Sequence, residues 1–259
     1  MCTAMAESGQ GGPVRLAILF VSILGLIGLA VKTTGGSGGA AAHVEPNPGR
    51  VVAMVARGAV PADVRTKLDA WSHIPTGAAA VDVGGATYVL GGEGKGHNHA
   101  TVGTVLRRVK AGPYTRVAKL PAPVSDPAVA HVGDRVYAIG GRLRGGKPSN
   151  EIEEYDIATE HSVIAGTLPH AVEGAAALSL GDFVYVVGGS VNGAPSREIL
   201  RFDPFRETVD PAGRLPVPAA GGIGTTSRDG SGWVVGAGSP ASGRINFVLT
   251  LHGGRSTPP

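Results

Sequence analysis

The chain has 259 residues, of which 42 are glycine and 17% are charged, with a formal net charge of +3 at pH 7. This composition favours short strands and tight turns, since glycine is costly inside helices and suits positive φ. A hydrophobic content of 42% excludes a disordered chain, and scattered basic residues with only 5% aromatic residues exclude a nucleic-acid partner. The only cysteine, Cys2, excludes an internal disulfide.

Residues 1–13 are small and polar, which predicts a flexible tail. Residues 14–32 contain an uncharged apolar run between Arg15 and Lys32, about 24 Å long as a helix, so these flanking side chains would snorkel. The segment predicts a single-pass transmembrane or signal-anchor helix with the rest of the chain extracytoplasmic. Small residues near Ala30 leave open the alternative of a cleaved signal peptide and secretion.

Residues 33–50 are rich in glycine and contain prolines, which predicts a linker that holds the globular part away from the membrane. The globular domain is predicted over residues 51–259. Valines in residues 50–60 indicate a strand on the outside of this domain, and residues 61–70 indicate a short helix.

Three markers repeat with a period of 46 to 49 residues within a repeat core at 68–251. They are an apolar strand that ends in two glycines, a hairpin turn, and a Leu-Pro or Ile-Pro step; such a period indicates a repeat architecture. The turns are Gly84-Gly85, Gly133-Asp134, Gly181-Asp182 and Asp229-Gly230, and the steps are Ile74-Pro75, Leu120-Pro121, Leu168-Pro169 and Leu215-Pro216. The glycine pairs are Gly91 and Gly92, Gly140 and Gly141, Gly188 and Gly189, and an interrupted pair, Gly236 and Gly238.

The best copy contains Tyr155-Asp156 and then a Leu-Pro step before the next glycine pair, and it resembles the kelch repeat. The resemblance implies an all-β fold, a kelch-like β-propeller of four-stranded blades. Four glycine-pair units predict four blades, and five remain an alternative if residues 50–60 contribute one. We expect residues 68–74 to close the ring beside residues 245–251. No tryptophan follows the Tyr-Asp pair, so smaller residues are expected between blades.

Candidate ligand-binding residues are those expected at loop and strand ends, where propellers bind ligands: Arg142, Arg144, His170 and Arg197. No spacing selects a catalytic set. His97 and His99 are weak metal candidates, since no carboxylate or cysteine accompanies them, and neither a metal nor another cofactor is predicted. Copper–tyrosyl chemistry, which some kelch enzymes perform with a cross-linked cysteine, is excluded because Cys2 lies outside the propeller.

These patterns favour a membrane-tethered module, more a binder than an enzyme, with a protein or a cell-envelope carbohydrate polymer as its partner. Two alternatives remain. One is a carbohydrate-active epimerase or lyase with its site on the propeller axis, a function that the kelch resemblance allows; the other is a structural domain of a larger membrane complex. A deep polar axial pocket would favour the enzyme, and a partly apolar one would favour binding.

Overall fold

The computed structural model describes residues 50–57, 59–71, 74, 76–94 and 100–251. The predicted tail, membrane anchor, cleavage site and nearly all of the linker lie outside these residues, as do His97 and His99. Within the described ranges, no helix has the length and apolar character needed to cross a bilayer.

Strand β1 (Val51–Val55) and helix α1 (Ala62–Trp71) precede the repeats. Strand β1 has the sequence VVAMV, whose β-branched residues favour extended backbone. Helix α1 follows Pro61 and contains alanine, leucine, lysine and arginine, all good helix formers. The structure therefore confirms the strand expected in residues 50–60 and the helix expected in residues 61–70.

The repeats form four antiparallel blades, and each inner strand is followed by strands that lie progressively further out. The first blade comprises β2 (Ala78–Val83), β3 (Ala86–Gly91), β4 (Thr104–Val109) and β5 (Thr115–Lys119). Next come β6 (Val124–Ser125), β7 (Ala128–Val132), β8 (Arg135–Ile139), β9 (Arg142–Leu143), β10 (Ser149–Asp156) and β11 (His161–Val172). Of these, β7, β8, β10 and β11 form the second blade, and β6 pairs with β9.

The third blade comprises β12 (Ala176–Leu180), β13 (Phe183–Val187), β15 (Ala194–Asp203) and β16 (Thr208–Ala219), with the short β14 (Ser190–Val191) paired to β15. The fourth comprises β17 (Ile223–Thr226), β18 (Gly232–Ser239), β19 (Gly243–Leu251) and β1.

The strand that completes the fourth blade is β1, which pairs antiparallel with β19 so that Val51 lies opposite Leu251. The expectation that residues 68–74 supply this strand is wrong, because residues up to Trp71 belong to helix α1. A five-bladed ring is also wrong, since the valine-rich segment joins the fourth blade and forms no blade of its own.

Helix α1 lies between the fourth and first blades. Its Lys67 Nζ donates a hydrogen bond to the Thr226 carbonyl at 2.8 Å, and the Asp63 carboxylate accepts one from the Arg228 amide at 3.0 Å. On the other side, Trp71 packs with Ala80 and Val89 of the first blade. Apolar clusters join the first blade to the second, the second to the third and the third to the fourth. Helix α1 thus lies where a direct contact between the fourth and first blades would otherwise be.

Aromatic pairs lie at two of the interfaces between consecutive blades. Tyr88 of the first blade meets Tyr155 of the second at 5.9 Å between ring centroids. Tyr137 of the second blade meets Phe202 of the third edge-on at 5.4 Å. These rings are nearly or completely buried, so these two interfaces are filled without a tryptophan.

The two ends of the blades differ, and we name them by their markers. At the glycine-pair end, Gly140 lies against the last residue of β11: a Cβ on Gly140 would sit 2.5 Å from the Val172 oxygen, and φ of Gly140 is +62°. The opposite, or turn, end carries the hairpin turns predicted from Gly-Asp and Gly-Gly pairs, which the structure confirms.

Candidate functional site

A cavity of about 450 Å³ lies on the propeller axis and opens at the glycine-pair end. Small residues line it at the start of all four inner strands, and Leu68, Trp71 and Ile74 form one apolar wall. Short side chains leave space at the axis, and the volume is in the range of ligand pockets, ~300–1,000 Å³. The small residues lining this axial cavity include Ala78, Ala79, Ala128, Ala175, Ala176 and Gly222.

Toward the turn end, the inner strands line a smaller chamber of about 70 Å³ that has both polar and apolar walls. Hydrogen bonds join neighbouring inner strands beside this chamber: the Thr226 hydroxyl donates to the Ser179 carbonyl at 2.6 Å, and the Ser179 hydroxyl donates to the His131 carbonyl.

A second cavity, the polar pocket, has a volume of about 600 Å³ and lies beside the axial cavity. Consecutive residues of two loops line the two spaces: Ser125 and Glu173 face the polar pocket, whereas Asp126 and Gly174 face the axial cavity. A ligand at the glycine-pair end can contact both cavities at once.

An ion pair stands on the rim between the two cavities. Arg142 donates to a carboxylate oxygen of Asp126, and the backbone amide of Asp126 donates to the Gly77 carbonyl at 2.6 Å. Asp126 has φ +52°, a left-handed conformation that is uncommon outside glycine and is tolerated best by Asn and Asp. The loop and the ion pair together fix the position of the charged groups at the rim.

Two of the predicted ligand-binding residues, Arg142 and Arg144, line the polar pocket together with Glu93 and Glu173. Arg144 lies on an exposed turn. The pocket thus contains both signs of charge and can bind a ligand that offers donors as well as acceptors.

The other two predicted residues lie elsewhere. The Arg197 Nε donates a hydrogen bond to the Leu215 carbonyl at 2.8 Å. In the preceding repeat, Asn150 Nδ2 donates the equivalent bond to the Leu168 carbonyl at 3.3 Å. His170 is exposed on β11, beside a small recess of about 10 Å³. Neither side chain lines the axial cavity or the polar pocket.

Sequence reasoning missed the residues that create the axial cavity. These residues belong to the strand of small residues that begins each repeat. That pattern is visible in the sequence, but it is also typical of ordinary close packing, so it does not indicate a cavity. Trp71 was also missed, because nothing in its own segment indicates that a helix brings it to the axis. Among the described residues, no group of three or more His, Cys, Asp and Glu side chains could hold a metal ion.

Comparison with known proteins agrees with this architecture. A family model for the kelch motif matches residues 123–169, the span that contains most of the second blade. The chain contains a kelch motif, and its fold is a four-bladed β-propeller.

The solved structure of YjhT matches this propeller with a TM-score of 0.52 and 19% sequence identity, over 62% of this chain and 58% of that chain. At this identity the likeness concerns the fold. No curated protein matches the sequence.

Proposed function

We propose that this kelch propeller is an extracytoplasmic binding module, held at a membrane by residues 14–32, that takes its partner at the glycine-pair end. The observation that carries the proposal is the chemistry of the axial cavity. Among the described residues that line it, Asp126 is the only charged one, and Arg142 already binds its carboxylate. General acid–base catalysis needs a positioned group that is free to exchange a proton with a ligand.

The mainly apolar lining of the axial cavity favours a protein segment over a carbohydrate polymer as the partner. An apolar side chain of about the size of leucine or phenylalanine would exchange water for the alanine and glycine walls and the Trp71 ring. The flanking polar groups of such a segment would meet Arg142, Arg144 and Glu173 at the polar pocket. This arrangement, an apolar anchor within a polar rim, is common in protein recognition.

Ile223 offers a direct test, because it lines the axial cavity and is 48% exposed at its mouth. Full-length protein in nanodiscs would be screened by equilibrium binding against a peptide array and soluble envelope-polymer fragments. For a bound peptide, we expect Ile223→Glu to raise Kd by at least ~10-fold, about 1.4 kcal/mol, because it places a charge against the apolar anchor.

The matched control is Val109→Glu, at a site 47% exposed near the turn end, which should leave Kd unchanged. If polymer fragments bind instead, with affinity that depends on Arg144 and is indifferent to Ile223→Glu, the partner is a carbohydrate and the axial cavity is not its site.

The membrane placement rests on the uncharged run between Arg15 and Lys32. Resistance to alkaline carbonate extraction, together with an intact mass that retains the amino terminus, is the expected result for an anchor. A mature chain that begins close to Ala30 and fractionates outside the membrane would instead establish secretion.

If the protein is instead an epimerase or a lyase, we propose the polar pocket and not the axial cavity as its active site, because two arginines and two glutamates line that pocket. NMR of candidate acidic sugars with the protein would reveal turnover. Loss of that turnover in Glu173→Gln, with an unchanged melting temperature, would establish the enzyme.

A further inference from the structure

The outer edge of the fourth blade differs from the outer edges of the other three. In each of the first three blades, at least one residue of the outer strand has no partner on the neighbouring strand, so the pairing shifts register there; these bulged residues include Val117, Ala165 and Ala212. Strand β1 pairs with β19 over five consecutive residues without such a shift. Because bulges hinder the addition of another strand, β1 lacks a protection that the other outer strands have.

Strand β1 also lacks the side chains that block an edge. Its sequence, VVAMV, contains no charged residue and no proline. Residues of these kinds in the other outer strands include Arg116 and Lys119 of β5, Pro169 of β11 and Pro211 of β16. Val52, Met54 and Val55 are 42%, 55% and 39% exposed. A flat, uncharged and apolar edge is a template for a further strand.

The backbone of β1 offers hydrogen-bonding groups to such a strand. The Ala56 amide donates to the Asn246 carbonyl at 2.8 Å, so by alternation the N–H and C=O groups of Ala53 and Val55 point away from β19. No other strand of the described chain pairs with this edge. The free edge can therefore form a ladder with an extended peptide.

There is space beside the edge. Strand β16 approaches its beginning, where a Cβ on Gly213 would sit 2.7 Å from the Val51 oxygen. A cavity of about 740 Å³ lies between the two strands, with residues 50–53 on one side and residues 211–214 on the other. None of the described residues that line it is acidic.

The side chains on one face of the blade favour an apolar centre in the added strand. Met54 lies opposite Val248, and Val248 lies opposite Trp233, so apolar side chains form a row across three strands. An apolar residue in the added strand would extend this row and cover the exposed Met54 side chain.

The charges beside β1 favour acidic ends. Arg50 and Arg57 stand on either side of the strand, both are exposed, and among the described residues neither is in an ion pair. Antiparallel pairing of two copies about Ala53 or Met54 would bring Arg50 of each copy beside Arg57 of the other, which is unfavourable. Carboxylates at both ends of a partner strand would instead be attracted.

We propose that the open edge of β1 binds an extended segment of a partner protein, apolar in its centre and acidic at its ends, as a fifth strand of the fourth blade. Hydrogen bonds to the Ala53 and Val55 backbone would give affinity, and the two arginines would select the acidic ends. This site is separate from the axial cavity and depends neither on that cavity nor on the membrane placement of the chain.

The test measures fluorescence anisotropy of three labelled heptapeptides with the full-length protein in detergent micelles. EVTVTVE has the proposed chemistry, KVTVTVK reverses the terminal charges, and EVTPTVE keeps the charges but interrupts backbone pairing. We expect EVTVTVE to bind at least ~10-fold more tightly than either of the others. The proposal is wrong if none of the three binds or if all bind alike.

Two substitutions of one residue separate backbone from side-chain recognition. Val55→Pro removes an outward-facing amide and should raise the Kd of EVTVTVE at least ~10-fold, whereas Val55→Ala keeps that amide and should change Kd less than ~3-fold. Equal melting temperatures of the two variants show that the strand still folds. Undiminished binding to folded Val55→Pro contradicts the proposal.

The arginines provide an independent measurement that does not alter the strand. The double variant Arg50→Glu, Arg57→Glu changes two exposed residues outside β1, and it should bind KVTVTVK more tightly than EVTVTVE. An unchanged preference for EVTVTVE would overturn the assignment of the acidic ends.

Two other outcomes would identify a different occupant. Loss of EVTVTVE binding in Ile223→Glu, with no effect of Val55→Pro, would place the peptide in the axial cavity, which overturns this inference and leaves the proposed function standing. A dimer in sedimentation velocity that Val55→Pro dissociates would assign the edge to a second copy of the chain, which overturns the acidic partner.

Discussion

At the residue scale, Glu153 is the most unusual charged side chain in the blades. It is only 3% exposed, and its carboxylate accepts one hydrogen bond, a long one of 3.4 Å from the Ala122 amide. Strand register places Leu200 at the same position in the third blade. Burial, with a smaller contribution from Glu151, raises the pKa of Glu153 to about 7.

A raised pKa means that the unfolded chain releases this proton at lower pH than the folded chain does, so stability is lost as pH rises from about 4.5 to about 7. Glu153→Gln removes the titration. We expect the variant to match the parent at pH 4 and to exceed it by up to about 3 kcal/mol at pH 8. Urea unfolding at both pH values measures this, with exposed Glu198→Gln as control; an equal gain at both would contradict the assignment.

Gly140 shows why the repeats keep their glycine pairs. Both Gly140 and Gly133 have positive φ, +62° and +55°, but a Cβ would meet the Val172 oxygen at 2.5 Å in the first case and nothing within 4 Å in the second. Gly133→Ala should cost only the conformational penalty, ~1–2 kcal/mol. Gly140→Ala should cost distinctly more, because backbone must move. Equal losses in thermal unfolding would show that close approach is unimportant.

At the element scale, the blades are held together by rings that cross from one sheet to the next. Phe202 on β15 is fully buried against Tyr137 on β8 of the neighbouring blade, so this ring contributes to the packing of both sheets. The contact between these two rings fills the interface, so no tryptophan is needed there.

Phe202→Ala should therefore destabilise the protein by about 3–5 kcal/mol, since it removes a buried ring and leaves a cavity. The same substitution at Phe205, which is 95% exposed in the adjoining turn, is the matched control and should change stability by less than ~0.5 kcal/mol. Denaturant unfolding compares the two. A small loss at Phe202 would mean that the blades do not depend on this interface.

At the scale of the whole propeller, the ends of the repeat array meet through β1 and α1. Strand β1 adds the outer strand of the last blade, and the helix joins that blade to the first through Lys67 and Trp71. Residues from the beginning of the described chain thus tie together parts that are distant in sequence, which predicts cooperative unfolding.

Proline substitutions in β1 test this closure. The Ala56 amide donates to the Asn246 carbonyl at 2.8 Å, so by alternation the Met54 amide also faces β19, whereas the Val55 amide faces the open edge. Met54→Pro should cost at least about 2 kcal/mol, lowering Tm by ~4–8 °C in one transition, and Val55→Pro should cost much less. Two separate transitions in calorimetry would show that closure is not required for cooperativity.

The turns and strands of this architecture were predictable, because their conformations depend on residues that are neighbours in the sequence. The Gly133-Asp134 turn follows from local backbone preferences, and the strand that ends at Gly140 follows from its apolar run. Four blades follow from four such units. The closing strand was misassigned, because Val51–Val55 and the segment after Leu68 compete for one edge, and that competition depends on contacts with β19.

The sequence by itself determined the repeat, the blade type, the hairpin turns and the candidacy of Arg142 and Arg144, because each depends on near neighbours or on a period. Only the tertiary structure decided which strand closes the last blade, that a helix carries Trp71 to the axis, and that Arg197 supports a backbone carbonyl. It also brought small residues from four repeats around one cavity. The physical reason is that a cavity is what remains between separate elements, so no single stretch of sequence encodes it.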